Sequence, residues 1–100
     1  MPTHDQLDSF FHDYKRLTEA EKALFRQAVG HFVHDLRTGE FRKGLRVKQM
    51  SGHDDIWELT WAPDGRATFQ YGAELPGQPG PHIIWRRIGS HDIFGRPWRL

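Results

Sequence analysis

The chain has 100 residues, no cysteine and a formal net charge of +1. A chain of this length forms one domain with a single core, and the lack of cysteine excludes disulfide bonds and thiolate chemistry. Its polar start has no apolar segment like that of a signal peptide, and no apolar run reaches membrane-spanning length, so we expect one cytoplasmic domain over residues 1–100.

Basic charge is concentrated in the later part of the chain. Residues 1–40 carry five Lys or Arg and seven Asp or Glu, whereas residues 41–100 carry nine and six. The first part therefore has a net charge of −2 and the second a net charge of +3. This asymmetry modestly favours a polyanionic partner on the surface that the later residues form.

The first third of the chain predicts two helices, at about residues 5–16 and 19–37, because apolar residues recur there at helical spacing. Thr3-x-x-Gln6 is a candidate capping box for the first helix, and Thr18-x-x-Glu21 is a better one for the second. Gly39 lies where a helix end needs a left-handed residue. We interpret the aromatic stripe of these helices as core packing against a sheet.

Four strand-like segments follow, bounded by turn residues. They lie at about residues 45–48, 56–61, 66–71 and 82–88. The Pro/Gly-rich segment 74–81 is a loop that we expect to be mobile. Two helices followed by four strands predict an α+β fold, in which an N-terminal helical hairpin packs on a twisted, mainly antiparallel four-stranded sheet.

The second and third strands form the clearest local structure, a tight hairpin. Ala62-Pro63-Asp64-Gly65 suits a type I turn, with Gly65 in the left-handed position of a G1 bulge. The resulting register pairs Ala62 with Arg66, Thr60 with Thr68 and Glu58 with Gln70. The polar face therefore carries Glu58 and Arg66, and the aromatic face contributes to the core. The aromatic face contains Trp57, Leu59, Trp61, Ala67, Phe69 and Tyr71.

These motifs, in this order, resemble the RelE/ParE superfamily of toxin–antitoxin toxins, most closely its HigB/RelE-like mRNA interferases. The resemblance covers roughly residues 10–94. The matching pieces are Leu45 to Lys48, Gly52, Trp57 to Leu59, Gly65 to Phe69 and the region around His91. The strand that usually precedes the helices in this family is not visible in the sequence.

The resemblance implies a compact toxin that cleaves translated mRNA in the ribosomal A site, without a metal or other cofactor. Its implied partners are the ribosome, mRNA and a cognate antitoxin that silences it. The alternative is a binding module of the same fold without nuclease activity, which inhibits a protein such as gyrase or has become inactive.

RNA cleavage by attack of the 2′-hydroxyl requires a base, cations at the phosphate and an acid for the leaving group. In our hypothesis Arg66 binds the phosphate, with Lys48 or Arg46 assisting. His91 acts as acid or base because its free pKa lies nearest neutrality. Glu58 is a further candidate base. The basic residues expected to bind RNA are Arg42, Lys43, Arg46 and Arg86.

Each of these assignments has a simpler alternative. Arg66 can be an exposed strand residue near a turn, and His91 a turn residue bonded to local backbone. Glu58 can be a surface partner of Arg66 or Lys48. The predicted register separates Glu58 from Arg66 by four residues, roughly 13 Å of strand rise. Arg86 and the next residue, Arg87, should point to opposite sides of their strand, so that only one of them can join the site.

Metal binding has weaker support. His31 and His34 lie at helical spacing beside Asp35, and His53-Asp54-Asp55 and His91-Asp92 are further pairs of potential ligands. Seven histidines in a chain of 100 residues make chance pairs common, so we expect no functional metal. The sequence also lacks a phosphate-binding P-loop and a nucleophile elbow.

Overall fold

Two helices pack against one face of a five-stranded sheet in the computed structural model, which describes residues 2–50, 52–53, 55–90 and 93. The elements in chain order are β1 (Thr3–Gln6), α1 (Asp8–Lys15), α2 (Glu19–Thr38), a short 3-10 helix (Lys43–Leu45), β2 (Lys48–Gln49), β3 (Trp57–Thr60), β4 (Gly65–Gly72) and β5 (His82–Ser90). The sheet order is β1-β5-β4-β3-β2, with β1 parallel to β5 and the other neighbours antiparallel. The α+β class is confirmed, but the predicted four-stranded sheet is wrong.

The additional strand is β1, which precedes the helices. Thr3 does not cap α1 as predicted, because its Oγ1 lies 2.8 Å from Nδ1 of His82 and its backbone N–H donates to Pro81 O at 3.0 Å. The residue that does precede α1 is Leu7, which makes no side-chain capping bond. A strand of four mostly exposed polar residues has no apolar alternation, and its partner lies about 80 positions away along the chain. Local sequence patterns therefore could not indicate it.

Beyond the end of β1, side chains of helix α1 bind the exposed backbone edge of β5. The Ser9 hydroxyl donates to Arg86 O at 2.7 Å, and the Asp13 carboxylate accepts the backbone N–H of Ile88 at 3.1 Å. Ser9 and Asp13 are four residues apart and so lie on one face of the helix. Their side chains give partners to backbone groups that β1 no longer reaches, and so protect an otherwise open sheet edge.

The predicted ends of α2 are confirmed within one residue. The Thr18 hydroxyl accepts the Glu21 N–H at 3.1 Å, and the Glu21 carboxylate accepts the Thr18 N–H at 2.8 Å. At the other end Gly39 has a φ of 84° and its N–H donates to Asp35 O at 2.9 Å. Within the described ranges, neither helix is long and apolar enough to cross a bilayer.

The core lies between the helices and the sheet and is largely aromatic. Phe32 of α2 contacts Phe69 of β4 edge to face, with ring centroids 5.0 Å apart. Phe25 contacts Trp85 of β5 in the same manner at 5.3 Å. The predicted aromatic face of the hairpin is confirmed except for Tyr71, which remains 42% exposed. The buried members of that face are Leu59, Trp61, Ala67 and Phe69.

The hairpin register differs from the prediction by two residues. Arg66 pairs with Thr60, and Thr68 pairs with Glu58. The predicted turn is present, because the Gly65 N–H donates to Ala62 O at 3.0 Å, but Gly65 does not have a positive φ and the G1 bulge is wrong. A shift of two residues leaves every side chain on its predicted face.

Gly65 is needed for a close contact rather than for a left-handed turn. A Cβ at this position would lie 2.6 Å from Cδ2 and Cε2 of Trp61, well inside the ordinary contact distance. The indole of Trp61 therefore packs directly on the backbone of Gly65 and closes the end of the hairpin.

The predicted strand at 45–48 is mostly a different structure. Residues Lys43–Leu45 form the 3-10 helix, and Arg46 follows in the left-handed region with a φ of 47°. Only Lys48 and Gln49 pair with β3. Leu45 is buried, and its burial comes from the 3-10 turn and not from a pleated strand.

Candidate functional site

Four polar side chains form a row across the sheet on the face opposite the helices. Lys48 is the register partner of Glu58, Glu58 of Thr68, and Thr68 of Arg87. Neighbouring strands lie about 4.8 Å apart, so the backbone positions at the two ends of this polar row are separated by roughly 14 Å. The row brings together two of the predicted site residues, Lys48 and Glu58, and adds two that the sequence analysis did not select.

One end of the polar row is an ion pair. Lys48 Nζ lies 3.7 Å from Glu58 Oε1, and the side chains of these residues are 69% and 15% exposed. Glu58 is thus largely covered, whereas Lys48 extends into solvent. This arrangement is the surface pair considered above, with the difference that the carboxylate is partly withdrawn from water.

Arg66 lies diagonally across from Glu58. The observed register places it two residues along β4 from Thr68, so its backbone is about 7–8 Å from that of Glu58, in place of the predicted 13 Å. Its Nη1 lies 3.0 Å from Gly65 O, 3.4 Å from Pro63 O and 3.5 Å from Ala62 O. The guanidinium therefore lies over the hairpin turn. Among the described residues, these carbonyl contacts all involve Nη1, which leaves Nε and Nη2 for an anion.

A β-bulge places two arginines together at the β5 end of the polar row. Thr68 pairs with Arg87 and Phe69 with Trp85, so Arg86 is the extra residue of the bulge. Arg86 and Arg87 both line one small cleft of about 50 Å³ with Thr68. The prediction that only one of the two arginines can reach the site is wrong, because the bulge interrupts the alternation on which that prediction depended.

Both arginines of the bulge are held by polar partners. Nη1 of Arg86 donates to Oε1 of Gln70, two residues from Thr68 on β4. The guanidinium of Arg87 forms an ion pair with Asp13 of α1. Within the described ranges the hydrogen-bond partner of Arg86 is a neutral amide and not a carboxylate, whereas Arg87 is neutralised by Asp13.

Arg42 has a structural role that the sequence analysis missed. Its Nε and Nη2 each donate to the carboxylate of Asp35 at 2.8 Å, and its backbone N–H donates to the same group at 3.0 Å. These bonds, led by those from the Arg42 side chain, hold the pKa of the Asp35 carboxyl well below its usual range. Asp35 in turn raises the pKa of Arg42. The pair holds the segment around Arg42, which follows α2, against the end of α2.

The remaining predicted residues are distributed over other surfaces. Lys43 and Arg46 are exposed in and just after the 3-10 helix. His91 lies outside the described residues, as do Asp54 and Asp92 of the candidate metal pairs. His31 and His34 contact Arg42 and Asp35 respectively, and within the described ranges no three metal-ligating side chains form a cluster.

Arg87 and Thr68 are the residues that sequence reasoning missed. Thr68 was assigned to the polar face but opposite the wrong residue, and Arg87 was set aside in favour of Arg86. The only local signal was the Arg86-Arg87 pair inside a strand of otherwise apolar residues, which is compatible with a bulge but does not require one.

No protein-family model and no curated protein sequence matches this chain. Solved structures do match it. A chain of the E. coli DinJ-YafQ toxin-antitoxin complex aligns with a TM-score of 0.68 and 10% identity, over 93% of this chain and 96% of that one. The chain has the RelE-like fold.

Two further structures share the RelE-like fold. One is a chain of the RelB-RelE antitoxin-toxin complex from Methanococcus jannaschii, with a TM-score of 0.59, 12% identity and coverage of 90% of this chain and 93% of that one. The other is the YoeB/ParE toxin from Agrobacterium tumefaciens, with a TM-score of 0.61, 12% identity and coverage of 89% and 98%. The predicted family resemblance is confirmed at the level of the fold, and the polar row lies on the sheet face opposite the helices.

Proposed function

We propose that this protein is the toxin of a type II toxin–antitoxin system and that it is a ribosome-dependent endoribonuclease, which cleaves translated mRNA in the cytoplasm. The RelE-like fold supports the toxin assignment. The polar row supports the nuclease assignment, because it sets a largely covered carboxylate beside cationic side chains on the sheet face opposite the helices. That arrangement is the single observation on which the proposed chemistry depends.

The proposed mechanism needs no metal. Glu58 accepts the proton of the attacking 2′-hydroxyl, and Arg66 and Arg86 stabilise the negative charge that develops on the phosphate. Lys48, 3.7 Å from Glu58, orients the carboxylate. We keep His91 as the proposed acid that protonates the 5′-oxygen leaving group, since its free pKa suits proton transfer near neutrality.

We propose a cognate antitoxin as the protein partner. The DinJ-YafQ and RelB-RelE structures are complexes of a toxin with an antitoxin. An antitoxin that inhibits the proposed nuclease has to cover the polar row, and acidic side chains would suit a surface with Lys48, Arg66 and Arg86.

Expression of variants in a bacterial host tests this function. Wild-type protein should arrest growth, with cleavage sites in translated mRNA, and Arg66→Ala should lower cleavage by about 10²–10³-fold, the usual loss for one preorganised charge donor. Arg26→Ala is the matched control, because Arg26 lies on α2, away from the polar row, and donates a hydrogen bond to the Tyr14 hydroxyl at 3.5 Å. Equal cleavage by wild type and Arg66→Ala would exclude the assigned phosphate site.

The second candidate is a binding module of the same fold that inhibits a protein target. The observation that favours it is that the cations at the two ends of the polar row are paired with carboxylates, since Lys48 contacts Glu58 and Arg87 contacts Asp13. Under this alternative the wild-type protein arrests growth but leaves translated mRNA intact, so the same experiment separates the two functions.

A further inference from the structure

The two adjacent arginines at the bulge of β5 have partners of different charge. Among the described residues, Nη1 of Arg86 donates to the amide oxygen of Gln70. The guanidinium of Arg87 donates to both oxygens of the Asp13 carboxylate, through Nε and Nη2. A carboxylate neutralises a guanidinium, whereas an amide oxygen accepts one N–H and adds no charge. The two arginines therefore differ in the charge that they offer to a ligand.

The other cations near the polar row show the same division. Arg66 is held by neutral oxygen atoms, those of three carbonyl groups in the hairpin turn. Lys48, like Arg87, is paired with a carboxylate. Of these four cations, the two that we propose as phosphate ligands, Arg66 and Arg86, are thus the ones that the described residues hold through neutral groups.

Gln70 determines where the guanidinium of Arg86 lies on the sheet. Gln70 is two residues along β4 from Thr68, the register partner of Glu58, so its backbone is about 7–8 Å from that of Glu58. Arg66 has the same spacing from Thr68 in the other direction along β4. Side chains two residues apart on a strand share one face, so the proposed base is flanked by a cation site on each side.

Helix α1 holds the backbone of the bulge. The Ser9 hydroxyl donates to Arg86 O at 2.7 Å, and the Asp13 carboxylate accepts the N–H of Ile88 at 3.1 Å. The main chain is thus held at the bulge and two residues beyond it, while Gln70 holds the end of the Arg86 side chain. A side chain fixed at both ends loses little further freedom when it binds a ligand, and such preorganisation raises affinity.

We propose that Gln70 is a positioning residue for the RNA substrate. Its amide oxygen holds the guanidinium of Arg86 in place and, because it is neutral, leaves the positive charge of Arg86 to a phosphate of the RNA. Nε and Nη2 of Arg86 would contact that phosphate, since the bond to Gln70 uses Nη1. The choice of RNA as the ligand rests on the function proposed above, whereas the contacts of Gln70 do not.

Gln70→Glu separates this role from a purely structural one. The substitution keeps the size of the side chain and strengthens its bond to Arg86, so the melting temperature should be unchanged or higher. The carboxylate would neutralise Arg86, so affinity for a single-stranded RNA oligonucleotide, 2′-O-methylated to prevent cleavage, should fall by about 10–100-fold. The slope of log K against log salt concentration should become less negative by about 0.7, the contribution of one phosphate contact on a single strand.

Two further variants calibrate this result. Gln27→Glu makes the same change of charge on an exposed position of α2 and should bind the oligonucleotide like wild type. Gln70→Ala removes the bond without neutralising Arg86, and should weaken binding by about two- to tenfold, the cost of ordering one side chain, with the wild-type salt slope. If Gln70→Glu binds RNA as well as Gln27→Glu does, or if the wild-type protein binds no RNA, the proposal is wrong.

A double-mutant cycle shows whether Gln70 acts through Arg86. In an Arg86→Gln background, Gln70→Glu should weaken binding no more than Gln27→Glu does, because no guanidinium remains to be neutralised. An equal loss of affinity with and without Arg86 would overturn the positioning role, since it would reflect charge repulsion alone.

The outcome is distinguishable from a failure of the proposed nuclease, because binding of the oligonucleotide requires neither ribosomes nor cleavage. If RNA binds with the predicted effect of Gln70→Glu while wild-type protein leaves translated mRNA intact, the positioning role stands and the nuclease assignment fails. If wild-type protein cleaves translated mRNA and Gln70→Glu does so with unchanged KM and kcat, the nuclease assignment stands and the positioning role fails.

Discussion

Gly65→Ala tests how the hairpin end is packed. The added Cβ would lie 2.6 Å from two ring atoms of Trp61 and 2.9 Å from a third, whereas carbon atoms in contact are usually about 3.5–4.0 Å apart. The indole must therefore move by about 1 Å, although it is buried and packs edge to face on Phe25 at 6.3 Å. Overpacking of this kind costs about 1–3 kcal/mol.

A smaller effect opposes this cost. The φ of Gly65 is not positive, so alanine fits the backbone and reduces the entropy of the unfolded chain, which stabilises by about 0.4–1 kcal/mol. The net expectation is a destabilisation of about 1–2 kcal/mol, which corresponds to a fall in melting temperature of roughly 4–15 °C for a domain of this size. Urea unfolding followed by tryptophan fluorescence measures it.

Two further variants make this result decisive. Gly30→Ala is the control of opposite sign, because no described atom outside the adjacent helix backbone lies within 4 Å of the new Cβ, and alanine in a helix interior stabilises by about 0.5–1 kcal/mol. Gly65→Asn distinguishes two reasons for a glycine here, the close contact with Trp61 and a left-handed turn. Asparagine tolerates a left-handed backbone, but its Cβ would meet Trp61 as alanine's does. If Gly65→Ala is as stable as wild type, or Gly65→Asn is clearly more stable than Gly65→Ala, our explanation of this glycine is wrong.

Three other substitutions test the structural contacts. Thr18→Ala removes one half of the capping box of α2 and should lower the free energy of unfolding by about 0.5–2 kcal/mol in urea denaturation; no change would show that the cap is dispensable. Asp13→Ala removes the carboxylate that accepts the Ile88 N–H and pairs with Arg87, so hydrogen exchange at Ile88 should accelerate, whereas unchanged protection would contradict the edge role of α1. The pKa of Asp35 is lowered by Arg42, so the ionised pair stabilises fully above the ordinary carboxyl pKa of about 3.9, and this stability is lost as pH falls through the folded pKa. The stability difference between wild type and Asp35→Asn should therefore shrink as pH falls below about 5, and a constant difference would refute the ion pair.

The parts of the fold that sequence reasoning predicted correctly are those with local signals. The capping box at Thr18 and the glycine at position 39 define α2 from residues close together in the chain. The aromatic face of the hairpin follows from strict alternation, and a register error of two residues preserves it. In each case the determining contacts lie within a few residues, so the pattern is visible without the tertiary structure.

The parts that could not be predicted depend on distant partners. Strand β1 is polar, and it forms only because it pairs with β5. This pairing joins residues that lie near the two ends of the chain. Arg42 was expected on an RNA surface. It instead binds the carboxylate of Asp35, a residue seven positions earlier that the fold buries. The bulge that unites Arg86 with Arg87 arises from the pairing with β4 and has no unique signature in β5 alone.

The central claim is that the polar row cleaves RNA, and the cleavage rate of translated mRNA by purified protein tests it most directly. Glu58→Gln keeps the shape of the side chain but removes the proton acceptor, and should lower the rate by about 10²–10⁴-fold. Glu19→Gln, a surface residue 3.9 Å from Lys22 on α2, is the control and should cleave like wild type. Cleavage by Glu58→Gln at the wild-type rate, or the absence of cleavage by wild-type protein, would contradict the claim.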